Sequence, residues 1–513
     1  MTNRAKARGP ARKTPVSQSA PNPAAELYNR GDLSTALSVG EFLASDSGAD
    51  HETLLLAARA AVRLGEDERA LALLAPLKAA DYPGWRALEG FARAHSGDAA
   101  AGRRILREAL GSKNAAERAD AANRLALLEW NERKTEVAEE IVLEHLPSAR
   151  GINRCNLRQM LGWIEVARER YTIAGRHFAQ ALEIYAGESL QDEWIRWRLL
   201  QGISIIALET LDFGLAPVEV SDDGEIGRDA RAGATFALLN LGTLSLLEGR
   251  EIDALERLQR ARSLAPTRPL GAAAEVDLAT YHRVRGDRVS ARDHLELARR
   301  MLSKSRWTEA DADERMTLLD FAIEAYYLEP TSAGGPLMRF LSSDLKRRSS
   351  LAFERDGRVT AMELMGRGVV EAIQGRRASA RAILAEARDA WGRINYRFRE
   401  IGTLLLEHDL SGRPEDLETA RRAVEVAPRS WLYAEVEKRR QTETGPATLT
   451  PAERRVMLAI CQGKTSKQIA AEFGRSFHTI RNQTLAVYQT MGVKTRASLV
   501  AECARLGLLR EEA

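Results

Sequence analysis

An arginine and an asparagine stand side by side at Arg481-Asn482, five residues after Ser476 in the stretch SFHTIRNQTLAVYQTM. A guanidinium matches guanine O6 and N7, and a carboxamide matches adenine N6 and N7, each through two hydrogen bonds. Such side chains read base edges when they sit near the start of an exposed helix lying in a major groove. The spacing predicts that helix over Ser476–Met491. Ile480, Thr484, Val487, Tyr488 and Met491 fall on an inward face, and Phe477, His478, Arg481, Asn482 and Leu485 on an outward one. His478 is placed either to meet a phosphate or simply to be solvated. A small helical domain that binds protein would share this spacing.

The elements that must hold these residues are marked by start and stop signals between Leu449 and Leu509. Thr450-Pro451-Ala452-Glu453 is a capping box with proline at the first helical position. Thr465 to Gln468 repeats the device after Gly463 ends the first helix, Gly474 ends the second, and Ser476 caps the third. Helix, short glycine-containing turn and capped helix form a helix-turn-helix, with the third helix packing on Ile469, Ala470, Phe473 and Leu499.

The whole run LTPAERRVM…TSKQIAAEFGRSFHTIRNQ…VYQTMGVKTRASLV resembles the LuxR-type (GerE-type) helix-turn-helix of bacterial transcription regulators, over roughly the last 65 residues. The resemblance implies that Arg481 and Asn482 face the groove and that Lys467 and Thr479 contact or approach the DNA backbone. It also implies that the fourth helix supports a dimer. Two positions depart from the family. Gln483 stands where histidine is usual, although glutamine can still donate to a phosphate. Thr484-Leu485-Ala486 lacks the basic residue expected there. That loss weakens the salt-dependent phosphate attraction and leaves Leu485 to meet a thymine methyl, so weak binding by an isolated domain is expected.

A chain of 513 residues exceeds one core. Its net charge of +3 divides unevenly: residues 1–25 carry +5, residues 447–513 another +5, and the middle −7. Basic ends around an acidic middle suit a DNA-binding end on a sensing body. The first 25 residues lack the apolar centre of a secretory signal and read as a disordered basic tail. The longest apolar run, Leu199 to Leu208, is too short to span a bilayer. Cys155, Cys461 and Cys503 have no paired spacing and read as small buried residues in a reducing cytoplasm.

From Glu26 to Arg440 a pattern recurs: a turn, a small residue five positions later, and often another seven after that. Gly97, Gly102 and Ala109 show it, as do Gly249, Ala254 and Ala261; Gly286, Ala291 and Ala298; and Gly375, Ala380 and Ala387. Gly31 with Ala36 and Gly65 with Ala70 keep the first offset. Arg133 with Ala138, and Glu169 with Ala174 and Ala181, keep it without glycine. Steps of 34, 32, 36, 36 and 37 residues between turns resemble tetratricopeptide-type helix pairs, in which small residues let backbones cross closely. A missing turn is expected near Glu209 or Leu211 and another around Pro330 to Pro336. Thr331–Pro336 reads as the main internal break, and a last pair as Leu404 to Leu410 followed by Pro414 to Ala427.

Gly463-Lys464-Thr465 resembles the tail of a phosphate-binding loop, but Leu458 occupies the required glycine position and no strand precedes it. No histidine cluster, serine elbow or receiver-type acid cluster appears, so neither an enzyme nor a cofactor is expected. Most of the eight tryptophans read as core, while Trp194 and Trp197, flanked by Arg196 and Arg198, are the candidates for a ligand or partner surface.

The reading is all-α: a basic tail (1–25), a tetratricopeptide-like helical-repeat superhelix for sensing or interaction (26–440), a linker (441–448) and a four-helix LuxR-type domain (449–513). The expected function is sequence-specific binding of double-stranded DNA by a cytoplasmic regulator acting as a homodimer. Lys467, Ser476, His478, Thr479, Arg481, Asn482, Gln483 and Leu485 form the DNA face. An effector in the repeats and RNA polymerase are its further expected partners. The alternative is an interaction scaffold whose end binds DNA without specificity.

Overall fold

A computed structural model describes residues 22–45, 50–215, 225–304, 312–328, 357–443, 449–491, 493–505 and 508. Every regular element among them is a helix. The chain forms two compact units: Met1–Leu161 with Ala181–Trp197 and Ser221–Arg231, and Gly162–Gln180 with Arg198–Val220 and Ala232–Ala513.

The repeat is a helix, a tight turn and a second helix. His51–Leu64 shows how one is built: Asp50 accepts a hydrogen bond from the Thr53 amide (2.6 Å) at the start, and Gly65 turns left-handed at the end, before Asp67–Ala79. Gly31, Gly97, Gly249, Gly286 and Gly375 also have positive φ, between 75° and 110°. Arg133 (63°) and Glu169 (59°) adopt the same conformation without being glycine. The turn expected near Glu209 or Leu211 is Leu211, at φ 54°. The stretch around Pro330 to Pro336, with the break at Thr331–Pro336, lies outside the described residues.

The small residues spaced from these turns occupy the crossings. Ala36, Ala70, Ala109, Ala138, Ala254, Ala291 and Ala380 are all fully buried. A Cβ on Gly40 would come within 2.5 Å of the Ala57 Cβ, so the helices Leu33–Ser45 and His51–Leu64 meet at a distance that a larger residue would forbid.

Some boundaries differ from the sequence reading. Asn22 caps a helix at Pro23–Asn29, starting inside the stretch read as tail; residues 1–21 lie outside the described residues. The last pair is Arg397–Ser411 and Pro414–Val424 around Gly412 (φ 64°), so its first helix starts seven residues before Leu404. Trp431–Glu443 then runs three residues into the stretch read as linker, of which residues 444–448 are outside the described residues.

The apolar-run expectation also needs correction. Arg228–Leu247, 20 residues at mean hydropathy 1.2, is long and apolar enough to cross a membrane, but 67% of it is buried inside the protein. Its leucines point to several sides because neighbouring helices pack on several sides.

The proposed tryptophan surface is not formed. Trp197 is 1% exposed and belongs to the core. Trp194 is half-buried and stacks on the Arg63 guanidinium at 4.7 Å, whose other neighbour is the Tyr28 ring at 4.8 Å. Asp192 holds that guanidinium through two hydrogen bonds (3.1 and 2.8 Å) and also caps the Trp194 helix at the Ile195 amide. Trp194 is thus occupied by an internal cation.

Candidate nucleic-acid interface

Among the described residues the C-terminal domain contains four α-helices: Pro451–Cys461, Ser466–Phe473, Phe477–Thr490 and Arg496–Arg505. Both capping boxes form. The Glu453 amide donates to Thr450 Oγ1 at 3.2 Å and the Thr450 amide to Glu453 Oε2 at 2.8 Å; the Thr465–Gln468 box is built likewise. Ser476 accepts from the Thr479 amide at 3.0 Å, and its hydroxyl lies 2.8 Å from that of Thr479. Gly463 (φ 91°) and Gly474 (φ 60°) reverse the chain between helices. Arg496 reaches across to the Ile460 carbonyl at 2.6 Å, tying the fourth helix to the end of the first.

A single apolar core orients the third helix. Ile480 and Val487 are fully buried, Met491 nearly so, against Val456, Ile469 and Leu499. Thr484 faces the same side and spends its hydroxyl on the Ile480 carbonyl at 2.8 Å. With that face fixed, Phe477, His478, Thr479, Arg481 and Asn482 are exposed, and Leu485 is 52% exposed. Gln483 is half-buried at the edge of this face. Lys467, on the preceding helix, is exposed too.

Several repeat-helix arginines are tied down internally, whereas the charges of this face are not. Repeat-helix arginines such as Arg63, Arg103, Arg283 and Arg439 pair with carboxylates. Lys467, Arg481 and Asn482 make no side-chain hydrogen bond or ion pair among the described residues. An unpaired cation and an unpaired carboxamide, one residue apart on a rigid helix, can bind phosphate or base edges without breaking any internal contact.

Residues 447–502 match the bacterial regulatory proteins of the luxR family. The spore germination protein GerE of Bacillus subtilis (strain 168) is 43% identical over 61 residues, which are 12% of this chain and 82% of that protein. The chain belongs to the LuxR family. Its C-terminal domain is accordingly a LuxR-type DNA-binding domain of a transcription regulator. Among solved structures, the APC/C hetero-tetramer Cut9–Hcn1 is similar over 93% of this chain and 94% of its own, at 11% identity and a TM-score of 0.28.

The sequence reading missed two features. Arg475, between Gly474 and the Ser476 cap, is exposed and makes no side-chain hydrogen bond or ion pair among the described residues; an arginine beside the cap of the third helix was the available signal. The other feature is a cavity of about 320 Å³ in the second unit. No local motif announces it, because its walls come from helices far apart in the chain. Two of the three cysteines are placed as expected: Cys155 and Cys503 are fully buried, and burial pushes both thiols up to about 12, whereas Cys461 is half-buried beside Cys503.

Proposed function

We propose that the protein is a sequence-specific, cytoplasmic transcription regulator that inserts the helix between Ser476 and Met491 into the major groove and binds as a homodimer over two half-sites. Arg481 and Asn482 read bases, while Lys467, Thr479, Gln483 and His478 hold the backbone, with Arg475 added to them. The repeat helices control this end in response to an effector, and RNA polymerase is the downstream partner. The observation that carries the reading is the exposed, internally unpaired Arg481-Asn482 pair at the capped start of a helix fixed by its own core.

The test is selection from a random duplex library with the full chain. A two-fold motif, with half-sites about one helical turn apart, is the expected outcome. Retention without sequence enrichment, vanishing as salt rises, sinks the specific-regulator reading. It would favour an interaction scaffold with a non-specific end, an alternative that the uncharged Thr484-Leu485-Ala486 keeps open.

A further inference from the structure

The cavity of about 320 Å³ is within the range of small-molecule sites. Its walls come from the first helices of successive pairs and from Trp431–Glu443, which follows the last pair. Trp163, Phe236, Tyr327, Phe398 and Trp431 supply broad aromatic surface. Aliphatic and neutral polar side chains fill much of the remainder, and the charged side chains among the lining are nearly all committed to one another. Glu324 holds Arg283 through two bonds (2.6 and 3.0 Å). Arg399 is shared by Asp320 and the fully buried Glu209 (3.1 Å to Glu209). Arg439 is bound by Asp409 (2.7 and 2.9 Å) and Glu435 (2.6 Å). The remaining guanidinium, Arg358, acts on Glu209 and Tyr396.

Asp277 is the exception. It lines the cavity from the middle of Arg268–Val284 and makes no hydrogen bond or ion pair among the described residues. Burial, with Asp320 beside it, pushes its carboxyl well above the usual carboxylate range; Arg399 opposes this and Glu324 adds to it. Asp277 is half-buried, so its carboxyl faces the aromatic-walled space with no donor from the protein among the described residues and is open to one from a ligand. No three His, Cys, Asp or Glu side chains among the described residues are grouped to hold a metal. A lone carboxylate facing aromatic rings suits an organic ammonium with an aromatic or apolar body behind it.

We propose that this cavity binds a small organic amine carried on an aromatic or apolar body, with Asp277 as its counter-ion. This deepens the effector part of the reading above and rests on it only for the consequence, not for the binding. The ammonium donates to the Asp277 carboxylate, and the body packs on the Trp163, Phe236 and Trp431 rings.

The experiment is calorimetric titration of the full chain, without DNA, using tryptamine, its neutral analogue tryptophol and the anionic indole-3-propionate. Phenethylamine and cyclohexylamine serve as alternative amines. Saturable binding of an amine, with tryptamine at least about tenfold tighter than tryptophol, is expected. Asp277→Asn should weaken tryptamine by about tenfold or more and leave tryptophol unchanged, which separates a lost counter-ion from a lost cavity. Equal or tighter binding of tryptophol or indole-3-propionate overturns the proposal. So does an unchanged affinity in Asp277→Asn, or the failure of all three amines to bind up to millimolar concentration. Because DNA is absent, failure here leaves DNA recognition standing, and a blank library selection leaves amine binding standing.

Discussion

Gly102 and Gly90 meet backbone to backbone: a Cβ added to Gly102 would lie 2.4 Å from the Gly90 carbonyl oxygen and 2.6 Å from the Ala94 amide nitrogen. Gly102→Ala gains up to about 1 kcal/mol of helix propensity. It must nevertheless push Ala99–Leu110 away from Trp85–His95, since rigid backbone cannot rotate aside. Overpacking of this kind typically costs about 1–3 kcal/mol, so a net loss is expected. Thermal unfolding of the full chain measures it; an unchanged or higher Tm would show that the helices separate freely.

Gly286→Ala should also destabilise, for a different reason. Nothing lies within 4 Å of the added methyl, but φ is +83°. The cost is about 1–2 kcal/mol of backbone strain alone. Gly286→Asn, which tolerates the left-handed region, should recover most of it. If alanine and asparagine unfold at the same temperature, backbone strain is not the cause.

These two glycines show what could be read in the sequence. The turn glycines and the residues five and twelve positions beyond them were visible as spacing, because each repeat solves the same crossing in the same way. The missing turn could be placed only to within a few residues, since Leu211 carries the left-handed conformation with no local signature; Asn395 (φ 59°), between Arg377–Arg393 and Arg397–Ser411, is a residue type that tolerates it. The recognition helix was legible because caps, core face and reading face all lie within one short stretch. Trp194 and Trp197 misled because aromatics beside arginines look alike whether the cation is internal or comes from a ligand. Here Arg63, 131 residues away from Trp194, was the partner. The cavity was invisible for the same reason: Asp277 and its neighbours meet only in three dimensions.

Arg481 and Lys467 should separate in their effects on DNA. Arg481→Ala is expected to lose roughly 1–3 kcal/mol of discrimination at one base pair, and Lys467→Ala to weaken all sequences alike and reduce the salt slope by about 1. Both are exposed and unpaired, so neither change should lower Tm. Titration of matched and single-mismatch duplexes at several salt concentrations distinguishes them. A uniform loss for Arg481→Ala would assign that residue to phosphate.

Leu485, 52% exposed beside Thr484 and Ala486, marks where a charge is missing from the reading face. Leu485→Lys should tighten binding to any duplex and steepen the salt dependence by about 0.9 per protomer in a log–log plot. Preference among sequences should narrow, because a phosphate contact carries no base information. No change in slope would place position 485 off the DNA.

Asp277 links the cavity to the stability of the fold, and the sign can be worked out. Its folded-state carboxyl holds its proton to a higher pH than the ordinary value of about 3.9 in the unfolded chain. Above about pH 4 the unfolded chain therefore releases a proton that the folded chain keeps, and folding stability falls as pH rises. The fall continues until the folded carboxyl itself ionises, after which the cost is constant. Burial also raises the Glu209 carboxyl, so the wild-type profile sums more than one group. The difference between the wild type and Asp277→Asn isolates one. Asp277→Asn should match the wild type near pH 4 and gain on it progressively toward pH 7, by about 1–2 °C in Tm for each kcal/mol relieved in a unit of this size. Tryptamine at a fixed concentration should give the wild type a larger gain in Tm than it gives Asp277→Asn, because the variant binds it more weakly. Parallel pH profiles for the two proteins would mean that Asp277 is already solvated or paired, and the cavity would lose its counter-ion.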